Sequence, residues 1–311
     1  MRYNDMHRLP VPGASMMSNY ERISPTAILV AAIRAKYTDL PYTRDIYAAV
    51  KRMVKTDSYG RLTSHIGRYG RFFPRSTSRI VFLEARYLSV NRVLRDVGGD
   101  WAIVEVASGL SPRGLEWSKD CRLYIETDLP DMLHIKRRVL DEVLAQSGGF
   151  PDRHHKLYPL NAMDYAEWEG LGKEFFGGEK MHIAVVHEGL ASYLSQSEKD
   201  VLRDNIHKFL QTFASKGMWI TPDFYTYGKK QKTWVLNIIN SRIETKTGRK
   251  YHHFTTDEQV KAYLQQGGFD VSCYSSSMIF GQLSCLKRLD LEKDRIFKIV
   301  STFKTWLARP A

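Results

Sequence analysis

Residues 101–114 read Trp-Ala-Ile-Val-Glu-Val-Ala-Ser-Gly-Leu-Ser-Pro-Arg-Gly. A short apolar, β-prone run breaks into a turn whose residues at 107, 108, 109 and 111 are small. Small residues let a backbone turn tightly and approach a ligand, as the loop between a strand and a helix does in a nucleotide-binding sheet. Only Gly109 is a glycine within this turn, and read alone the stretch is equally an ordinary structural turn.

Downstream of it, short apolar runs at 101–106, 122–127, 156–159, 182–187, 218–221 and 269–274 alternate with helical patterns at 132–146, 197–215, 231–244, 256–265 and 294–308. Such alternation is the signature of a mostly parallel sheet with crossover helices, an α/β fold. Upstream the grammar differs. Ser24-Pro25-Thr26-Ala27 opens an apolar helix with an N-cap and a first-turn proline, and residues 44–55 and 78–95 also have helical spacing. We therefore expect a helical cap or lid over residues 1–95 and a sheet domain over 96–311.

The chain has 311 residues, 43% hydrophobic and 26% charged, which fits an ordered globular enzyme rather than a disordered chain. Its formal charge of +12 favours anionic partners without naming one. Three dispersed cysteines, Cys121, Cys273 and Cys285, argue against a disulfide framework or a structural zinc site, and no metal is expected. Residues 1–18 lack the apolar core of a secretory signal, and no apolar run approaches the roughly 20 residues of a membrane span, so a cytoplasmic location is expected.

Three later segments sharpen the reading. Tyr124-Ile125-Glu126-Thr127-Asp128-Leu129-Pro130 puts an acid at the end of the second strand, where a carboxylate can accept hydrogen bonds from both hydroxyls of a ribose. In isolation Asp128 is as well explained as a cap of the next helix. After the third strand, Asn161 and Asp164 are polar candidates for the same edge, and each is also a plausible helix cap. The fourth strand runs into His187-Glu188-Gly189-Leu190-Ala191-Ser192-Tyr193-Leu194, the most specific stretch, with acid, glycine and tyrosine where open α/β sheets bind ligands. The competing reading there is a turn with Glu188 exposed and Tyr193 packed.

Taken together these segments resemble the leucine carboxyl methyltransferase-like family. Gly109-Leu110-Ser111-Pro112-Arg113 is similar to its Gly-Leu-Asp-Thr-Arg turn, Glu126-Thr127-Asp128-Leu129-Pro130 to its Glu-Val-Asp-Leu-Pro strand end, and Glu188-Gly189-Leu190-Ala191-Ser192-Tyr193-Leu194 to its Glu-Gly-Leu-x-x-Tyr-Leu motif. Trp219-Ile220-Thr221-Pro222-Asp223 and the early Ser24-Pro25-Thr26-Ala27 resemble the branch of bacterial O-methyltransferases of polyketide and natural-product biosynthesis.

The resemblance implies a class I, Rossmann-like methyltransferase sheet with one antiparallel strand, and S-adenosylmethionine as cofactor. It also implies roles. Glu105, Ala107, Ser108 and Gly109 would border the methionine part, Asp128 and Leu129 the ribose side, and Asn161 and Ala162 the adenine. Glu188 and Gly189 would close the site near the sulfonium. Arg113 would serve the carboxylate of the cofactor or of the acceptor, and Arg34 or Arg86 would supply a basic residue from the cap. Two positions depart from the family pattern: Ala107 replaces its first loop glycine and Ser111 its aspartate, leaving the loop's contacts open.

Methyl transfer to oxygen is an in-line displacement that needs alignment more than acid–base chemistry. A carboxylate acceptor is already ionised at neutral pH, whereas a hydroxyl needs a base, for which His187 is the candidate, with Tyr193 beside it. A histidine packed under the sheet is the commoner arrangement for such a residue. The Arg- and aromatic-rich segment 60–79 reads as a lid over the acceptor or as a solvated basic loop, each ahead of nucleic-acid binding. The expected activity is O-methylation of a small molecule, an acidic one being compatible with the charge. The alternatives are a protein C-terminal carboxyl methyltransferase and a non-catalytic S-adenosylmethionine-binding protein.

Overall fold

Strand β1 (Trp101–Val106) is apolar on both faces apart from Glu105 and is buried along nearly its whole length. Ala102, Val104 and Val106 enter one hydrophobic cluster and Ile103 enters another on the opposite side. A strand with no solvent face belongs at the centre of a parallel sheet covered by helices. The computed structural model, which describes residues 24–53, 74–147, 153–224, 254–289 and 292–311, places it there.

The remaining strands are β2 (Leu123–Asp128), β3 (His155–Pro159), β4 (Met181–His187), β5 (Ala214–Thr221), β6 (Phe269–Ser275) and β7 (Lys304–Pro310). They form one sheet in the order β3-β2-β1-β4-β5-β7-β6. Pairings among β1 to β5 are parallel, and β7 runs antiparallel to both β5 and β6. The sheet is mostly parallel with one reversed strand, as expected.

Helices cover both faces. On one, α6 (Tyr165–Phe176) and α7 (Gln196–Phe213) bring Trp168, Leu171, Leu202, Ile206 and Phe209 against β1 and β4. On the other, the C-terminal half of α3 (Pro74–Val97) brings Val90, Val93 and Leu94 against Ile103, Ala184 and Val186. Helix α1 (Ser24–Tyr37) and α2 (Thr43–Met53) sit over α5 (Pro130–Ser147), where Ile46, Ala49 and Val50 meet Val139, Leu140 and Val143. The other face of α1 joins α3, the short α9 (Cys285–Leu289) and α10 (Lys293–Val300). The five-residue α4 (Arg113–Trp117) follows the β1 turn, and α8 (Asp257–Gln266) precedes β6.

One sequence expectation is corrected. Residues 294–308 do not form one helix: α10 ends at Val300, and Lys304–Pro310 becomes β7. Trp306 and Ala308 face one cluster and Leu307 the other, so the strand is buried on both sides and shows no alternation of apolar and polar residues. A continuous apolar run of that length cannot be told from a buried helix by periodicity. The helical pattern at 231–244 and the segment 60–73 lie outside the described residues, as do the side chains at 75–79. Among the described residues no helix is long and apolar enough to cross a membrane, and no group of three or more His, Cys, Asp or Glu is arranged to hold a metal ion.

Candidate active site

The register of the sheet collects the singled-out residues along one edge. Val106 lies opposite His187 across β1 and β4, and Asp128 lies opposite Pro159 across β2 and β3. The turns that follow β1, β2, β3 and β4 therefore open on the same side, at the carboxyl ends of the parallel strands, where α/β sheets bind ligands.

The β1 turn is held from β2. Ser108 N donates to Thr127 O at 2.9 Å, and Gly109 N donates to Asp128 Oδ2 at 2.8 Å. Ala107 and Gly109 both take φ of 51°. Glycine adopts that conformation freely, while alanine at 107 bears a steric cost of about 1–2 kcal/mol, the consequence of the family's first loop glycine being absent. Asp128 also accepts from Leu129 N at 2.8 Å, and its backbone oxygen accepts from Leu160 N at 3.0 Å, tying the second and third turns together. Burial pushes the Asp128 carboxyl up from its ordinary value, against the two amide donors that favour its charge.

Of the two polar candidates after β3, Asp164 is the N-cap of α6, accepting from Ala166 N at 2.9 Å. Asn161 Oδ1 accepts from Met163 N at 3.1 Å. Ala162 is buried, and its carbonyl accepts from Trp168 and Asn205, both at 3.0 Å.

The densest chemistry surrounds Glu188, just past β4. Its Oε1 accepts from Arg34 of α1 and, at 2.9 Å, from Nε of Arg86 of α3; its Oε2 accepts from Arg113 at 2.7 Å. Burial alone would raise this carboxyl, but the three guanidiniums outweigh it and hold Glu188 well below the usual carboxylate range. Arg113, fully buried at the start of α4, also pairs with Glu105, donates to Asn91 Oδ1 at 2.9 Å, and lies 4.3 Å over the Tyr87 ring. Tyr124 OH donates to the second oxygen of Glu105 at 2.8 Å. Both cationic candidates of the cap, Arg34 and Arg86, thus reach the same acid.

His187 and Tyr193 occupy different settings. His187 has no exposure, its Nδ1 donates to Asp223 at 3.1 Å, and its Nε2 is buried with no partner among the described residues. Tyr193, in the 3-10 turn Ala191–Tyr193, is mostly buried, which pushes its hydroxyl up, and it hydrogen-bonds Thr26 of α1.

Several site residues escaped the sequence reading. Tyr87, Asn91 and Glu116 form a layer behind Arg113: Glu116 accepts from Tyr87 OH at 2.6 Å and from Asn91 at 2.9 Å. Tyr87 and Asn91 are one helical turn apart on α3, a spacing that reads as core. Asp223 follows β5 and accepts from Gly189 N, Leu190 N and Ala191 N at 2.7, 2.8 and 3.0 Å. The sequence marked it only as the last residue of the 219–223 stretch that resembles the O-methyltransferase branch, with no role attached.

The strand order is that of the class I methyltransferase fold. More narrowly, the chain belongs to the leucine carboxyl methyltransferase family, whose model matches residues 27–207. No curated protein matches the chain. Among solved structures it is similar to magnesium protoporphyrin IX methyltransferase of Synechocystis PCC 6803 with bound S-adenosylhomocysteine, at TM-score 0.47 and 10% identity over 94% of this chain and 97% of that one. An O-methyltransferase family protein of Burkholderia thailandensis gives TM-score 0.43 and 11% identity over 82% of this chain, which spans 60% of that protein's length. The pyocyanin biosynthetic protein PhzM gives 0.45 and 14% over 88% of this chain and 74% of that one.

The family implies S-adenosylmethionine as cofactor, and the edge residues fit it. Asp128 keeps acceptor capacity beyond its two amide donors, as ribose hydroxyls require. Ser108 Oγ and Arg34 Nε are buried polar atoms with no partner among the described residues, the state expected of groups that await a polar ligand.

Proposed function

We propose that the protein transfers the methyl group of S-adenosylmethionine to an oxygen of a small-molecule acceptor, and that the acceptor oxygen belongs to a carboxylate. The observation that carries this reading is Glu188, held at the sheet edge by Arg34, Arg86 and Arg113, two of which come from helices α1 and α3 that cover that edge.

In this reading Asp128 accepts the ribose hydroxyls, and Leu129, Asn161 and Ala162 flank the adenine. The backbone of Ala107, Ser108 and Gly109 runs along the methionine part. Glu188, with Gly189 letting the chain turn, takes the ammonium of that amino acid. Arg86 and Arg34, freed in part from Glu188 by that ammonium, orient the carboxylates of cofactor and acceptor. Glu105 and Arg113 form the buried floor beneath them, and Tyr193 with helices α1 and α3 closes the acceptor side. The sulfonium supplies the activated methyl group. A carboxylate acceptor needs no proton removed, so the chain has only to align it and exclude water.

The family description favours a second reading, a peptide or protein carboxyl terminus as acceptor. Calorimetry with S-adenosylhomocysteine, followed by labelled methyl transfer to panels of small acids, phenols and peptide acids, tests both. Heat on binding and label in small acids are expected. No heat with either form of the cofactor refutes the methyltransferase site, label in phenols alone refutes the carboxylate, and label in peptide acids alone selects the second reading.

A further inference from the structure

Three consecutive backbone amides, Gly189, Leu190 and Ala191, point at one carboxylate, Asp223. That carboxylate is 4% exposed and comes from the far side of the turn, after β5. Its Oδ1 accepts from Gly189 N, while its Oδ2 accepts from Leu190 N, Ala191 N and His187 Nδ1. Its own amide donates to Thr221 Oγ1 at 3.1 Å, which fixes the side of the strand from which it approaches. Four donors converge on two oxygens, and His187 and Gly189 bracket Glu188 on either side.

The turn needs this support. Gly189 has φ of 85°, a conformation that glycine adopts freely but no more readily than others, so its own backbone preference does not fix the turn after Glu188. A Cβ at 189 would stand 3.1 Å from an Arg86 guanidinium nitrogen, so the turn also sets the seat of one of Glu188's partners. A buried amide without an acceptor is costly, and three of them in succession would rearrange the turn rather than remain unpaired.

We propose that Asp223 and His187 are positioning residues for the amino-acid end of the cofactor: Asp223 clamps the 189–191 turn and thereby aims Glu188, and His187 orients Asp223 by donating from Nδ1. His187 acts here as a hydrogen-bond donor, and its buried Nε2 takes no part. The clamp touches neither the ribose acid Asp128 nor the β1 turn. Its influence is therefore selective, falling on the ammonium and carboxylate of the ligand and not on its nucleoside.

This inference rests on the assignment of Glu188 given above, and the test separates the two. S-adenosylhomocysteine carries the amino acid and 5′-methylthioadenosine lacks it, so both are titrated calorimetrically into wild type, Asp223→Asn, Glu188→Gln, His187→Leu and His187→Asn. In Asp223→Asn one oxygen becomes an NH2 that faces amide donors. We expect S-adenosylhomocysteine to bind about ten- to a hundredfold more weakly while 5′-methylthioadenosine is held within about twofold. His187→Leu should weaken S-adenosylhomocysteine in the same selective way. His187→Asn, whose amide nitrogen can replace Nδ1, should recover most of that loss.

Unchanged S-adenosylhomocysteine affinity in Asp223→Asn, with Glu188→Gln impaired, overturns the clamp and leaves the site assignment standing. Equal loss of both ligands overturns it too, because it shows a general collapse of the edge. If Glu188→Gln binds as wild type does, the assignment itself fails. Should Asp223→Asn not fold, the histidine pair decides: equal affinities in the leucine and asparagine variants reject the proposal.

Discussion

Asp128 holds the β1 turn through Gly109 N and accepts from Leu129 N ahead of α5, at the point we propose grips the ribose. Asp128→Ala removes all of these acceptors, and S-adenosylhomocysteine affinity should fall about a hundredfold by calorimetry. Affinity equal to wild type would refute the assignment. Glu126, two residues earlier on the same strand, serves the fold. It is buried against Lys136 at 2.9 Å and His155 at 3.3 Å, and it accepts from Gly114 N at 3.2 Å. Burial would raise its carboxyl, yet Lys136 and His155 outweigh that and lower it from 4.5 to about 2. Lys136→Met should therefore destabilise the protein by about 3–5 kcal/mol in urea unfolding, and adding Glu126→Gln should return much of the loss by removing the unpaired charge. A double variant no more stable than the single one would contradict this.

Between elements, one close approach is made by a glycine. A Cβ on Gly172 of α6 would run into the ring of Phe213 at the end of α7, so the two helices pack at a distance that only glycine allows. Gly172→Ala should cost about 1–3 kcal/mol despite alanine's better helix propensity, and Phe213→Leu in the same chain should relieve part of that cost. Stability at or above wild type for Gly172→Ala would show that α6 and α7 slide apart freely. The start of α7 is fixed independently by a capping box, with Ser195 and Glu198 satisfying each other's backbone amides. The helix-to-helix distance, rather than the helix end, is therefore the sensitive term.

Across the whole molecule, α1, α3 and the turn after β1 send charged groups that converge on Glu188, in the turn after β4. Glu188 and Glu126 are both held below the ordinary carboxylate value, so the folded state favours their charged forms. The stability they contribute is complete above about pH 4.5 and is lost as pH falls through the folded values, toward about 2 for Glu126. Glu188→Gln should flatten the dependence of melting temperature on pH in that acid range; an unaltered slope would exclude Glu188 as a contributor. Ligand binding has a similar reach. Saturating S-adenosylhomocysteine, at a hundred times its Kd, should add about 2.7 kcal/mol and slow hydrogen exchange in α1 and α3 as well as in the turns of the sheet edge. Protection confined to the sheet turns would show that the cap helices take no part in binding.

The parallel sheet was legible in the sequence because a strand buried on two faces is mostly apolar, as 101–106 is apart from Glu105, and because turn residues punctuate the chain where strands end. Asp128 and Glu188 were legible for the same reason: each stands at a strand's carboxyl end, which fixes its place in space. Strand β7 was not, since its partners β5 and β6 are remote in sequence and a short apolar run carries no period of its own. Nor was the joining of Arg34, Arg86, Arg113, Asn91 and Asp223 around one turn. Those contacts depend on how α1 and α3 fold back over the sheet edge and how far β5 extends, which are set by long-range packing and leave no local pattern in the chain.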